Sequence, residues 1–298
     1  MHDPFGVGLE GLLAGKILKI PIVGTNHTPI EEFTSYVPLI GKIINPISKR
    51  FFCWFYNQCL FVSAPYVGLL EDMKKSGLKI KNMAISNPID LKNFVPADIE
   101  KKKVLKKKYG LSDRVVLYTG RLAQEKHIDV IIDAIEIVKN IFPDIVLAIT
   151  GIGASEDNLK KYVLEKDLNN NVKFFGRVDD LAHVEIYQAS DAFAIMSTAE
   201  SQSISLMKAM AVGIPVMGAN AWALPTYIDE KCGFIVPVGD FQKLSNKIID
   251  IFEDEELRKN LGLGGLKVVE NFSSALIAKK WSEIFSQEIE NFLKNKKS

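Results

Sequence analysis

From residue 115 onward the chain alternates short apolar runs rich in β-formers with segments of helical spacing, and this rhythm constrains the fold more than any other feature. The runs occupy residues 115–119, 145–150, 172–175, 192–196, 215–218 and 234–236. Between the first two, Ile131, Ile135, Val138 and Phe142 recur at the spacing of one helical face over residues 128–141. Strand, helix, strand in repeated order predicts right-handed βαβ units, and so an α/β chain built on a parallel sheet. Ligands of such sheets sit beyond the carboxyl ends of the strands. Gly120-Arg121, Gly151-Ile152-Gly153, Gly176-Arg177 and Glu200 all fall at those ends, so four segments converge on one edge.

The first ninety residues read as part of a similar layer: helix 9–19, strand 20–25, mostly helix 39–58, strand 60–64, helix 67–75 and strand 83–85. Asn87-Pro88-Ile89-Asp90 then breaks the pattern, because a residue before proline is pushed out of the helical region. This predicts one domain over 1–90 and a second over 91–273. A closing helix follows over 274–298, with Ile277, Trp281, Ile284 and Phe285 on one face. A length of 298 residues suits two domains with separate cores. The formal net charge of +1 gives no overall field for nucleic acid, and no basic-aromatic recognition motif is present. Cys53, Cys59 and Cys232 are too few and too scattered for a disulfide frame or a metal cluster, and fit a reducing compartment. No apolar stretch reaches the about 20 residues that span a bilayer. The opening Met-His-Asp-Pro reads as neither a signal nor a transit peptide.

The most informative segment runs from Ser197 to Pro215. Glu200 follows an apolar run, a short polar turn comes next, and a helix-like stretch closes at Gly213-Ile214-Pro215. The N-terminus of a helix fed by a parallel strand offers N–H groups and partial positive charge to a phosphate. Glu200 beside it is placed to accept hydrogen bonds from sugar hydroxyls, or is simply an acidic helix start. Gly120-Arg121-Leu122-Ala123-Gln124-Glu125-Lys126 also follows a strand and sets two cations on one turn. Such a pair suits a diphosphate, Arg as a fork and Lys as a point charge; the alternative is two solvated charges.

Gly6-Val7-Gly8-Leu9-Glu10-Gly11 matches a dinucleotide fingerprint in letters, yet no strand feeds it and no acid closes the next strand, so dinucleotide binding is rejected. Gly151-Ile152-Gly153 reads as a strand-exit turn near a ligand. His2 and His27 are either polar site residues or merely exposed, and no chemistry is assigned to His127 or His183. Lys42, Lys49 and Arg50 with Phe51, Phe52, Trp54, Phe55 and Tyr56 form a basic, aromatic-rich helix. It suits an anionic membrane surface, or packs on its own sheet.

Taken in order, these segments resemble a retaining glycosyltransferase of family 4 (glycosyl transferases group 1) with the GT-B fold. The resemblance rests on His2–Phe5, Gly24–Thr28, Asn87–Asp90, Gly120–Lys126, Phe175–Val178 and the Glu200 segment. It implies two Rossmann-like domains with parallel sheets, a nucleotide-sugar donor held in the cleft mainly by the second, and a C-terminal helix crossing back. By that resemblance Arg121 and Lys126 hold the diphosphate, with Gly120 in the same turn, and Glu200 contacts the donor sugar. Backbone N–H groups around Gln202, Ser203 and Ile204 meet sugar and phosphate, while the turn with Arg177 and Val178 touches the base. His2 lies near sugar and acceptor, and His27 on the acceptor side. No bound metal or other cofactor is expected. The acceptor is a lipid or glycan, and the placement is cytoplasmic or peripheral on the cytoplasmic membrane face.

Three departures qualify the resemblance. Lys208 stands where the family carries a second Glu that holds the ribose, and a lysine has no acceptor. Thr226 stands where an acid is common. The first domain lacks its usual opening strands and glycine-rich loop, which makes it incomplete: a fragment or a reduced relative. The expected function is therefore sugar transfer from a nucleotide-sugar. The rivals are a degenerate, non-catalytic nucleotide-sugar-binding protein and, less favoured, a sugar-nucleotide epimerase of the same fold.

Overall fold

The computed structural model describes residues 1–2, 4–27 and 38–295, with the side chains of 38–45 and 295 outside that description. Asp3 and Thr28 of the quoted motifs, the side chain of Lys42 and residues 296–298 thus lie outside the described residues. The chain divides into two compact units, Met1–Pro88 with Ser274–Ser298, and Ile89–Ser273.

In the second unit six parallel strands lie in the order β6-β5-β4-β7-β8-β9. They are β4 (Arg114–Thr119), β5 (Ile145–Thr150), β6 (Val172–Gly176), β7 (Ala192–Ile195), β8 (Val216–Ala219) and β9 (Gly233–Val236). Each matches an expected run within about two residues, because a parallel sheet buried on both faces writes itself as continuous apolar sequence. Val115, Val116, Leu117, Ile145, Leu147, Ala148 and Phe193 are fully buried. The helix after β4 is Ile128–Val138, with Ile131, Ile135 and Val138 fully buried. Aspartates set several helix starts: Asp98, Asp179, Asp240 and Asp254 each accept from the backbone N–H three residues on, at 2.7–2.8 Å. Strand order reverses between β4 and β7, and it is at the carboxyl ends of the strands beside such a switch point that open parallel sheets place their ligand crevice.

The first unit carries a three-stranded parallel sheet, β1 (Val23–Thr25), β2 (Phe61–Ala64) and β3 (Lys81–Ala84), in that order. Met1 lies along the outer edge of β1: its ammonium donates to the Val23 carbonyl and its carbonyl accepts from the Thr25 N–H at 2.7 Å. The helix Ser274–Asn295 packs on this sheet, where Ile277 and Ile284 join Phe61 and Ile85 in a buried cluster with Trp281 and Val23 against it. Its expected apolar face is narrower than the sequence suggested. Phe285 is 46% exposed, and Glu288 is buried instead, with its carboxylate 2.6 Å from the Lys81 ammonium. Glycines 8 and 11 of the rejected dinucleotide fingerprint lie inside the helix Val7–Leu18, with no strand feeding it among the described residues.

Candidate functional site

The crevice at the switch between β4 and β7 is where two of the sequence-expected segments meet. After β4 the chain turns through Gly120 and Arg121 into a short 3-10 turn, Gln124–Lys126. After β7 it passes through Ser197 and Thr198 to Glu200. The Lys126 ammonium lies 2.8 Å from the Glu200 carboxylate and 3.4 Å from the Ser197 hydroxyl. Both charged side chains are close to buried, at 12% and 13% exposure, so each is the other's main compensation for lost water. The Thr198 N–H donates to the Glu125 carbonyl at 3.0 Å, which fastens the two loops by backbone. Arg121 reaches outward, half exposed, and pairs with Glu125 at 2.7 Å. The reversal of strand order thus brings Glu200 to Lys126, while Arg121 stands on the turn that carries Lys126 and is held by Glu125.

The turn that carries Arg121 is held from beneath. The buried Tyr118 hydroxyl donates to the Arg121 carbonyl at 3.0 Å. Burial, with Glu200 and Glu125 nearby, keeps that phenol far above its ordinary titration range. Gly151-Ile152-Gly153, expected as a strand-exit turn near a ligand, leaves β5 and forms the bed of this loop. The Leu122 N–H donates to the Ile152 carbonyl and the Ser155 N–H to the Leu122 carbonyl, at 3.0 and 2.9 Å. A Cβ on Gly151 would stand 1.9 Å from the Gly120 carbonyl oxygen, and one on Gly153 would stand 2.1 Å from that of Leu122. Glycine is required because backbone passes over backbone at contact distance.

The remaining expected donor residues make contacts of their own. Ser203 caps the helix Ile204–Ala211, its hydroxyl accepting from the Leu206 N–H at 3.2 Å, while the buried Gln202 donates to the Met207 sulfur. Gly176, the last residue of β6, has a left-handed backbone, leaving Arg177 exposed and Val178 half-buried before the Asp179 cap. Lys208 turns its ammonium over the Phe94 ring, 4.6 Å from the centroid, a cation–π contact. Burial lowers its pKa, against the opposing pull of Asp180 and Asp90.

Sequence reading missed the group beside Lys208. His183 packs edge-on to Phe94 and shares a hydrogen bond at 3.3 Å with Thr119, which is itself bonded to the Thr150 hydroxyl. Burial, aided by the Lys208 cation, pushes the His183 imidazole down to about 4 from 6.5. The folded chain therefore refuses a proton that the unfolded chain accepts. Its contribution to stability is unchanged above pH 6.5, is lost as pH falls from 6.5 to about 4, and is flat below. The expected result is that His183→Gln narrows the acid-side loss: the wild-type melting temperature declines relative to the variant across that window. A gap between the two melts that stays constant from neutral pH to pH 4 would refute the buried neutral imidazole. His127, also set aside at first, holds a left-handed backbone (φ 46°) and shares a hydrogen bond at 3.2 Å with Thr198. A histidine following Glu125-Lys126 gave no sign of that distant partner.

His2 and His27 belong to the other unit. Their rings stack at 5.0 Å and their Nδ1 and Nε2 atoms share a hydrogen bond at 2.9 Å; the Tyr56 hydroxyl donates to the His2 carbonyl at 2.6 Å. Among the described residues no group of three or more His, Cys, Asp and Glu side chains is gathered as for a metal ion. No described helix is long and apolar enough to cross a membrane.

Residues 99–268 match the family described as glycosyl transferases group 1. The GDP-mannose-dependent monoacylated alpha-(1-6)-phosphatidylinositol monomannoside mannosyltransferase of Corynebacterium glutamicum is 30% identical over 217 residues, which cover 70% of this chain and 54% of that protein. The alpha-monoglucosyldiacylglycerol synthase of Streptococcus pneumoniae is 27% identical over 235 residues, covering 76% and 52% respectively. The chain thus spans about half the length of these curated relatives. Among solved structures, Anabaena Alr3699/HepE in complex with UDP superposes with a TM-score of 0.82 at 21% identity, over 94% of this chain and 76% of that one. The sucrose-phosphate synthase of Thermosynechococcus elongatus gives 0.80 at 21% identity, over 95% and 72%. These likenesses are likenesses of fold.

Proposed function

The chain belongs to the glycosyl transferases group 1 family and has the GT-B fold, and from that premise we propose that it moves a sugar from a nucleotide-sugar to a lipid or glycan acceptor with retention of anomeric configuration. The observation that carries the proposal is the meeting of Lys126 and Glu200 at the switch between β4 and β7, with Arg121 on the same turn as Lys126. Transfer breaks the bond between the anomeric carbon and the diphosphate oxygen and forms a bond from that carbon to an acceptor oxygen. The acceptor proton leaves toward the departing phosphate. Negative charge grows on the diphosphate as its bond breaks, and two fixed cations stabilise it most at that moment. Lys126 and Arg121 are given this role, which requires no metal ion. Glu200, now held by Lys126, accepts from sugar hydroxyls once the phosphate draws Lys126 away.

Gly120, Gln202, Ser203 and Ile204 offer backbone to the donor, Arg177 and Val178 flank its base, and His2 and His27 serve the acceptor side. Two curated relatives carry lipid names, which supports a lipid acceptor here; the placement at the cytoplasmic membrane face is part of the same proposal.

A second reading, a nucleotide-sugar-binding protein without transfer, is favoured by Lys208, whose ammonium is engaged by Phe94 where the family has a ribose-binding acid. Calorimetry and product analysis with labelled UDP- and GDP-sugars separate the two. Binding with labelled product supports transfer, binding without product supports the second reading, and no binding of either donor ends both. Lys208→Gln supplies an acceptor without setting new charge beside Asp180 and Asp90. The expected gain in donor affinity is about threefold to tenfold, one neutral hydrogen bond. A loss of affinity instead would make Lys208 a donor contact and remove the main support of the second reading.

A further inference from the structure

The helix Pro38–Tyr56 divides its aromatic residues between two sides. Phe52, Phe55 and Tyr56 are buried with Cys53, whereas Phe51 and Trp54 face outward, Trp54 at 51% exposure. Phe51 and Trp54 stack on each other at 5.8 Å, and Phe5, 58% exposed, extends the cluster from a neighbouring segment with its ring 6.3 Å from Phe51. The helix has Lys42, Lys49 and Arg50 and no acid. The adjoining helix Val7–Leu18 is joined to it through Lys16, which donates to the Gln58 side chain at 2.6 Å, while Gln58 donates to the Trp54 carbonyl. That second helix adds an exposed stripe at Leu9, Leu13 and Ile17, spaced by one helical turn, with Lys16 and Lys19 beside it and Glu10 its one acid.

Stacked aromatic rings ringed by cations are a poor surface for bulk water and a good one for the boundary between lipid headgroups and acyl chains. We infer that this face of the first unit docks on an anionic lipid bilayer, with Trp54, Phe51 and Phe5 entering the headgroup region and the exposed Arg50 and Lys16 meeting lipid phosphates. Charge selects this occupant. A second copy would bring an equal set of cations against these ones, whereas an anionic bilayer complements them. The inference deepens the lipid-acceptor reading above and rests on it for its purpose. It places the histidine-bearing unit at the surface where such an acceptor resides.

The full chain is floated with vesicles of phosphatidylcholine containing phosphatidylglycerol, and with phosphatidylcholine alone. Binding is expected to the first and not the second, and to weaken as salt is raised. Arg50→Gln with Lys16→Gln lowers partitioning about thirtyfold, at about 1 kcal/mol for each cation near the surface. In the wild-type chain brominated lipid quenches tryptophan emission, and Trp54→Phe removes that quenching while Trp222 and Trp281 remain. The replaced side chains are exposed, so a wild-type melt in each variant confirms the fold, and the wild-type quenching stands without any variant. Equal binding to neutral vesicles, no quenching, or a concentration-dependent dimer that Trp54→Ala abolishes would overturn the inference, the last by giving the patch to a second copy. Sugar transfer is not read in any arm, so failure here leaves the donor site untouched.

Discussion

Lys126→Ala lowers the affinity for a nucleotide-diphosphate sugar by about tenfold to a hundredfold, the worth of one charge-assisted contact at about 1.5–3 kcal/mol. The variant also loses stability, because Glu200 is left with its charge near-buried and its closest cation gone. These two losses are separable. In Lys126→Ala with Glu200→Ala the uncompensated carboxylate disappears, so the melt returns toward wild type while donor affinity stays low. Arg121→Ala, altering a half-exposed side chain, leaves the melt nearly unchanged and weakens donor binding less than Lys126→Ala does. Calorimetry with UDP- and GDP-sugars beside thermal melts reads all four proteins. Wild-type donor affinity in Lys126→Ala would remove the diphosphate from this crevice.

Gly153→Ala is expected to cost more than about 4 kcal/mol in unfolding free energy, among the largest effects a single methyl group produces. Its Cβ would lie 2.1 Å from the Leu122 carbonyl oxygen and 2.7 Å from the Leu122 nitrogen, and neither backbone atom is a flexible end that swings aside. The relief available is displacement of the whole turn from Gly120 to Lys126, which carries Arg121 off the Tyr118 hydroxyl. Donor binding therefore falls along with stability. Gly176→Ala is the matched control. Gly176 has φ 63° and open space around the added atom, so the replacement costs only the about 1–2 kcal/mol of a left-handed residue. Urea denaturation of both variants tests the difference. Equal costs would mean that conformation rather than backbone contact explains Gly153.

What was legible beforehand follows from how each feature is encoded. The strands of the second unit were readable because burial on both faces leaves each as an apolar run, and the shared carboxyl edge followed from parallel order alone. That Arg121 and Lys126 share a turn was local information. The Lys126–Glu200 ion pair was not, since it exists only because β7 inserts beside β4. Gly151 and Gly153 show a related limit: a glycine spared for a ligand and one spared for a crossing backbone look identical in a sequence. Phe285 shows the limit of periodicity in the other direction. The helix presents several apolar residues around its girth, and the narrow sheet of the first unit covers Ile277 and Ile284 but not Phe285. Lys208, His183 and Phe94 were invisible as a group because segments far apart in the chain bring them together.

The first unit is assembled from both sides of the second. Phe61 and Ile85 are translated before residue 89, yet Ile277 and Ile284, which cover them, are translated only after residue 273. On the ribosome the second unit is thus a self-contained insert able to condense while its host waits with uncovered apolar side chains. Once condensed, it holds its two outgoing strands of chain side by side: the Ile89 N–H donates to the Phe272 carbonyl at 2.8 Å and Ile89 bridges Ser273. A separation of nearly two hundred residues becomes a short splice, and the chain entropy of bringing the late helix home is discharged before it emerges. Growth of the nascent chain therefore has a built-in order, insert first and host last.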